Sequence, residues 1–276
     1  MSESPILRLL LAVPGLALLI LFFLLPLGAV AWQSLAGDAI QRVFAQGDLL
    51  AALGNSLLLG LEAGLASVVL GVAVALHLAR LPPGRRALLQ VVIALPLTFS
   101  GLIVAYGFIL LLGRAGFATL LLAELGADPA AIAAFLYDRP GLVLAYSYFL
   151  TPRVILTLLP VFANFDHRQT EAAESMGASR LRALIDILAP QVAPTVLASF
   201  ALVTAVAFGA YGTALALVGT QINILPLRLY SLIADAGADF PLAAALSVLL
   251  LAVCSFLMAV AEIAAARSEA DHHVRT

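Results

Sequence analysis

The chain has no lysine, one cysteine and few charges, and each shortage removes a class of chemistry. All fourteen basic residues of the 276 are arginine. A phosphate-cradling P-loop needs its lysine, and no G-x-x-x-x-G-K-[ST] stretch exists. A Schiff-base cofactor would need a lysine amine. If ATP drives this protein, another polypeptide must hydrolyse it, and no cofactor is expected on this chain. The lone Cys254 excludes an internal disulfide and a CxxC redox pair. It falls in an apolar stretch and reads as a small core or lipid-facing residue. No nucleophile elbow or H-E-x-x-H motif occurs, so neither a catalytic residue nor a metal site is expected. His272-His273 lacks third and fourth ligands and reads as part of a loose tail, and His77 reads as an interfacial residue. The net charge of −2 selects no partner, and nucleic acid is not expected as one.

What is present is apolar. The chain is 63% hydrophobic, 11% charged and has a mean hydropathy of +1.09, where soluble domains carry roughly 25% charge. The apolar residues fall in blocks near the ~20 residues that cross a bilayer. Six spans are predicted: Leu9–Trp32, Ala52–Ala79, Ala87–Gly113, Gly141–Phe162, Gln191–Tyr211 and Pro241–Ala265. The first follows Arg8 as a signal peptide would, but it is longer than the usual 7–15-residue apolar core and no small-residue cleavage site follows. It is read as a retained helix. With the N-terminus inside, Arg8, Arg80, Arg85, Arg86, Arg168, Arg180, Arg182, Arg267 and Arg275 lie inside. Only Arg42, Arg114, Arg139 and Arg228 lie outside, so the positive-inside rule places both termini in the cytoplasm. Leu81-Pro82-Pro83-Gly84 is a tight inner turn. The outer segments 33–50 and 114–140 are expected to form short interfacial helices. The whole chain, 1–276, reads as one all-α membrane domain.

One strongly polar interruption, Asn164 to Pro190, separates the fourth and fifth spans. Asp166 with Gln169 resembles a capping box, so a helix is expected near His167. Gly177 suits the left-handed position that ends it. Ser179 can cap a second helix toward Leu188, on which Leu181, Leu184, Ile185 and Leu188 form a stripe expected to rest on the membrane domain. The first helix would then present Glu171 and Glu174 beside the small Ala172 and Ala173. Small residues admit a partner closely and a carboxylate supplies a charge-assisted contact.

These residues resemble the cytoplasmic EAA loop of permease subunits from binding-protein-dependent ABC importers. The pattern E-A-A, three residues, G, nine residues, I-x-L-P is matched at Glu171, Ala172, Ala173, Gly177, Ile187 and Pro190. It departs at Ala189, where the family usually has Leu, a change expected to weaken packing. The resemblance implies a type I importer permease fold in a bacterial inner membrane and a chain that catalyses no bond chemistry. It implies a second permease, identical or paralogous, to complete the pore, two cytoplasmic ATPase subunits using ATP and Mg on the Glu171 loops, and an external solute-binding protein. Length and short outer loops look most like permeases for polyamines, then phosphonates, ferric iron or thiamine. The glycine-punctuated run Gly209–Gly219 would lie near the outer mouth. The rival class is a stand-alone secondary transporter or channel.

Two charges fall inside predicted spans. Glu62 and Arg153 lie roughly 15–18 Å from the outer ends of their helices, where an isolated charge costs about 2.5–3.5 kcal/mol. They are expected to pair, to line the solute path, or to sit nearer an interface than the span limits suggest. Ser100, Tyr106, Tyr146 and Tyr148, with Thr98, are further pathway candidates. Pro96, Pro152 and Pro160 can kink their spans.

Overall fold

The computed structural model describes residues 13–166, 168–234 and 237–275. Among them there are helices and no strands. The helices are α1 (Val13–Ser34), α2 (Ala39–Ala45), α3 (Gly47–Ala79), α4 (Pro83–Ala94), α5 (Gly101–Leu112), α6 (Phe117–Glu124) and α7 (Pro129–Leu136). They continue as α8 (Arg139–Ala163), α9 (Arg168–Ser175), α10 (Arg180–Phe208), α11 (Gly212–Val218), α12 (Leu225–Ala234) and α13 (Phe240–Arg275). The outer segments do form short helices, α2, α6 and α7. The last helix runs on through His272 and His273 to Arg275 instead of ending in a loose tail.

The centre is α3, packed along α8 with α10 across both, while α13 lies on α10 and α1 lies outside on α13. Between apolar helices in lipid the hydrophobic effect gives little drive, so contact depends on close approach through small residues. A Cβ at Gly71 would stand 2.5 Å from Val154 Cγ1, and one at Gly64 would stand 2.3 Å from Thr204 Oγ1. Gly60 meets the backbone of Thr204 and Phe208 in the same way. The outward faces keep large apolar groups, such as Phe22, Leu65 and Val69, exposed for lipid or a partner.

Two of the crossings are discontinuous. The predicted third span is split: α4 ends at Ala94, a 3-10 turn covers Leu95–Thr98, Phe99 and Ser100 are extended, and α5 starts anew. Pro96 lacks an N–H and cannot continue the α-helical ladder. Ser100 then caps α5, its Oγ accepting from Ile103 N at 3.4 Å. By length and composition Gly101–Glu124 also qualifies as a span, but α4 and its turn pack on α8, so the crossing is α4, turn and α5. The predicted fifth span likewise stops at Phe208, and Gly209 to Tyr211 separate it from α11. The buried Tyr146 donates its hydroxyl to the Ala210 carbonyl at 2.7 Å, so that carbonyl finds a partner without water. The two interruptions meet: a Cβ on Gly101 would lie 2.3 Å from Thr213 Oγ1. By contrast Pro152 and Pro160 stay inside an unbroken α8.

At the face remote from the 164–190 segment, polar side chains fasten the helix ends. Arg42 pairs with Asp239, and Arg228 pairs with Asp48. Asn223 donates to Asp48 Oδ1 at 2.8 Å and accepts from Arg228 Nε at 2.7 Å. Asn55 Nδ2 donates to the Asn223 carbonyl at 2.9 Å, and Leu225 N to Ser56 Oγ at 2.7 Å. The hydrogen bond from Arg42, ahead of the desolvation that opposes it, holds the Asp239 carboxyl below its ordinary value of 3.8.

Two outcomes follow from this packing. Gly71→Val is expected to cost about 1–3 kcal/mol by overpacking, read as a lower melting temperature of the detergent-solubilised protein. Gly54→Val on the same helix, with nothing within 4 Å of its Cβ, should be nearly neutral. Because Asp239 is a stronger acid folded than unfolded, its contribution is complete above pH 3.8 and is lost as pH falls through the lower folded value. Melting curves should therefore show an acid-labile component below about that pH that Asp239→Asn removes, with no change in this component between pH 5 and 7.

Candidate functional site

The polar interruption folds as a knob at the end of α8. The Asn164 N–H closes α8 on the Pro160 carbonyl at 3.0 Å. Asp166 Oδ1 accepts from Arg168 N at 3.1 Å and so caps α9. His167 itself lies outside the described residues. Gln169 does not complete the expected box, because its Oε1 accepts from Gln191 Nε2 at 2.7 Å, which ties the knob to α10. At the far end Gly177 has φ +94. Gly177 N donates to the Glu174 carbonyl and Ala178 N to the Ala173 carbonyl, both at 3.0 Å, the paired bonds of a Schellman motif. Any residue with a Cβ would be strained there.

Thr170 turns inward, while Glu171, Ala172, Glu174 and Met176 are exposed and Ala173 is half-buried. Met176 is 83% exposed, an unusual state for a large apolar side chain at the tip of a polar turn. Behind the knob a cleft of about 240 Å³ opens between Glu171, Glu174 and Arg180 on one side and Arg80 and Phe162 on the other.

The second half of the motif differs from expectation. The segment from Arg180 is no separate short helix closed by Pro190 but the start of α10. Pro190 cannot donate and its ring would clash one turn back. The chain absorbs this with a π turn over Leu184–Leu188, in which Ala189 N bonds the Leu184 carbonyl. That wider turn rotates the expected stripe apart. Leu188 is buried and Leu184 half-buried, but Leu181 is 68% and Ile185 56% exposed, and Ala183 takes the inward position. Ile187 is half-buried. Ala189 is exposed, so its short side chain opens no hole in this chain.

Glu62 and Arg153 do not pair. Glu62 is held by Arg139 at the start of α8, with Nε to Oε2 and a terminal nitrogen to Oε1 both at 2.8 Å. The register explains the partner: Gly71 faces Val154, which puts Arg153 level with position 70, and Glu62 lies eight residues further up α3, about 12 Å away along the axis. Arg153 is exposed and has no ion-pair partner among the described residues. Spacing alone could not find Arg139, which stands at a helix start and reaches along it.

Of the aromatic candidates, Tyr146 is fully buried and its hydroxyl is committed to Ala210, which gives it a structural place off any open path. Tyr148 and Tyr106 are 46% and 53% exposed. Tyr148 stacks edge-on against Phe108 with centroids 5.6 Å apart. The two share a groove of about 320 Å³ with Phe99, Ile103 and Gly107. Ser100, the cap of α5, is exposed one residue beyond Phe99, and Thr98 spends its hydroxyl on the Leu95 carbonyl at 2.7 Å. The structure thus gathers Tyr148 with the broken third crossing and leaves Glu62, Arg153 and Tyr106 apart from it.

The Glu62–Arg139 fork yields an expected outcome. Glu62→Gln or Arg139→Gln alone leaves an unpaired charge among apolar neighbours and should lower the melting temperature in a lipid nanodisc. The double change should cost less than the sum of the two; strictly additive losses would show that the two groups do not act as a pair.

The profile of the family described as "Binding-protein-dependent transport system inner membrane component" matches residues 67–269. A Salmonella typhi permease named for 2-aminoethylphosphonate transport is 30% identical over 279 aligned positions, covering 97% of this chain and 94% of that one. The spermidine/putrescine transport system permease protein of Escherichia coli K12 is 29% identical over 213, covering 75% and 74%. Among solved structures, a bacterial ABC transporter that imports the acidic polysaccharide alginate superposes with a TM-score of 0.73 at 18% identity, covering 95% of each chain. The helical architecture and the long match agree, and the chain belongs to the binding-protein-dependent inner-membrane permeases, the transmembrane subunits of ABC importers.

Proposed function

We propose that this chain forms half of the translocation path of an importer for a small amine-bearing solute and is worked through its Glu171 knob by a separate ATPase. In this reading both termini and the knob face the cytoplasm. A second permease, the same polypeptide or a paralogue, supplies the other half. Two ATPase subunits receive the knobs, and an external solute-binding protein delivers cargo to the opposite face. The arginine distribution read from the sequence supports the orientation. The family's dependence on a binding protein supports the external partner.

The observation that carries the coupling reading is the knob's surface. A helix end with exposed Glu171, Ala172, Glu174 and Met176, stopped by a left-handed Gly177 and backed by a cleft, exposes groups that the fold itself does not use. Carboxylates, a small-residue shelf and a protruding thioether suit a groove with basic and apolar walls. As the ATPases close, the two knobs move together, and α10, continuous from the knob to the interruption at Gly209, carries that motion into the membrane.

For the cargo, the relatives named for 2-aminoethylphosphonate and for spermidine and putrescine suggest a common denominator, a short aliphatic ammonium. A polyamine or an aminophosphonate fits that description, and Tyr148 with Phe108 and Phe99 offers aromatic faces for a cation within the groove.

The test is co-purification. Co-expressed with its ATPase, the wild-type chain should retain the ATPase through solubilisation. Glu171→Arg reverses the contact charge and Gly177→Val strains the left-handed turn by about 1–2 kcal/mol, and each should release it. Undiminished ATPase retention by both variants would falsify the coupling reading.

A further inference from the structure

Four arginines stand at the face opposite the knob, and three are engaged by carboxylates: Arg42 by Asp239, Arg139 by Glu62 and Arg228 by Asp48. Arg114 is exposed and has no ion-pair or hydrogen-bond partner among the described residues. It lines two cavities that share Tyr137, one of about 800 Å³ and one of about 500 Å³. Thr220 and Gln221 also line the larger. Gly113 is required at this corner, since a Cβ there would lie 2.4 Å from the Ile109 carbonyl oxygen and 3.0 Å from the Tyr137 hydroxyl. Two carboxylates close by in sequence are turned to caps: Asp128 accepts from Ala130 N at 2.9 Å and Asp138 from Arg139 N at 2.7 Å.

The same cavity has a negative pole. Ile109, Leu110 and Gly113 from the end of α5, and Leu217, Val218 and Gly219 from the end of α11, form its wall. The twelve-residue α5 carries roughly half a negative charge at this end, and the seven-residue α11 adds less. With Arg114 one residue past the cap of α5, the site is net positive with a partial negative pole beside the cation. A polyamine finds nothing to occupy Arg114, and a simple oxyanion leaves the helix ends unused. A small zwitterion uses both poles.

We propose that this cavity is an outer subsite for a zwitterionic amino-oxyanion, its phosphonate- or carboxylate-type group on Arg114 and its ammonium at the ends of α5 and α11. The proposal rests on the importer reading and narrows its amine-bearing cargo to one with an acidic group. The same oxyanion chemistry could come from a carboxylate on the solute-binding protein, so the experiment separates the two sources.

The permease–ATPase complex is placed in nanodiscs without the solute-binding protein and titrated with 2-aminoethylphosphonate, followed by phosphorus NMR line broadening. The wild-type complex should bind it. Arg114→Gln should weaken that binding at least about tenfold, the loss expected for a charge-assisted contact, and Arg114→Lys should keep most of it. Putrescine should not displace the ligand. The proposal is overturned by equal affinity in Arg114→Gln, by displacement with putrescine, or by no binding to the wild type. It is overturned too if Arg114→Gln leaves the phosphorus signal unchanged and only lowers stimulation of ATPase activity by the solute-binding protein, which assigns Arg114 to that protein. Absence of the ATPase from the wild-type complex, checked in the same preparation, would count against the importer reading instead.

Discussion

Inside an apolar medium every backbone N–H and C=O must find a partner within the protein, and the architecture follows from how that demand is met where helices break. Most of the chain meets it with uninterrupted helix. Two crossings do not, and both breaks are lined by groups that replace the missing bonds. Ser100 caps the restart of α5, and Tyr146 holds the Ala210 carbonyl. Tyr146 can reach because α8 lies at the centre, and α8 lies there because Gly71 admits Val154 and Gly60 and Gly64 admit α10. The close contacts and the broken helices are therefore one arrangement: neither break could stand in lipid without the tight packing around it.

The same arrangement ties the helix ends differently at the two faces. At the loop end the Gln169–Gln191 side-chain bond joins the knob to α10, beside the π turn that accommodates Pro190. The far end is fastened by a polar mesh of Asp48, Asn55, Asn223 and Arg228 and by Arg42 with Asp239.

Much of this was legible in the sequence. Span number, the place of the knob and its glycine stop came from composition and from residue types whose backbone preferences are strong. Where the reading failed, the cause was three-dimensional register. The Asp166 box was inferred from spacing, but Gln169 had a better acceptor role toward Gln191 across the turn. Glu62 and Arg153 matched in depth by counting from predicted span limits. The observed helix starts, Gly47 and Arg139, leave that count matched, but the two helices are offset along their axes: Gly71 faces Val154, so Glu62 stands well above Arg153 and within reach of Arg139. Pro96 read as a kink because proline alone does not tell bending from breaking. Here the extended Phe99 and Ser100 decide it. Arg114 had no distinguishing neighbour in sequence and stands out only once the other outer arginines are seen to be paired.

The continuity of α10 has a mechanical consequence. Its 29 residues make a rod about 43 Å long, seated at one end beside the knob and ending where the two interrupted crossings touch. A pivot of only 5° about the knob end sweeps its tip through about 4 Å at that rise per residue, wider than a water molecule. Since the tip lies beside the seam where Gly101 meets Thr213, a slight tilt at one end of the rod is a displacement of molecular size at the other.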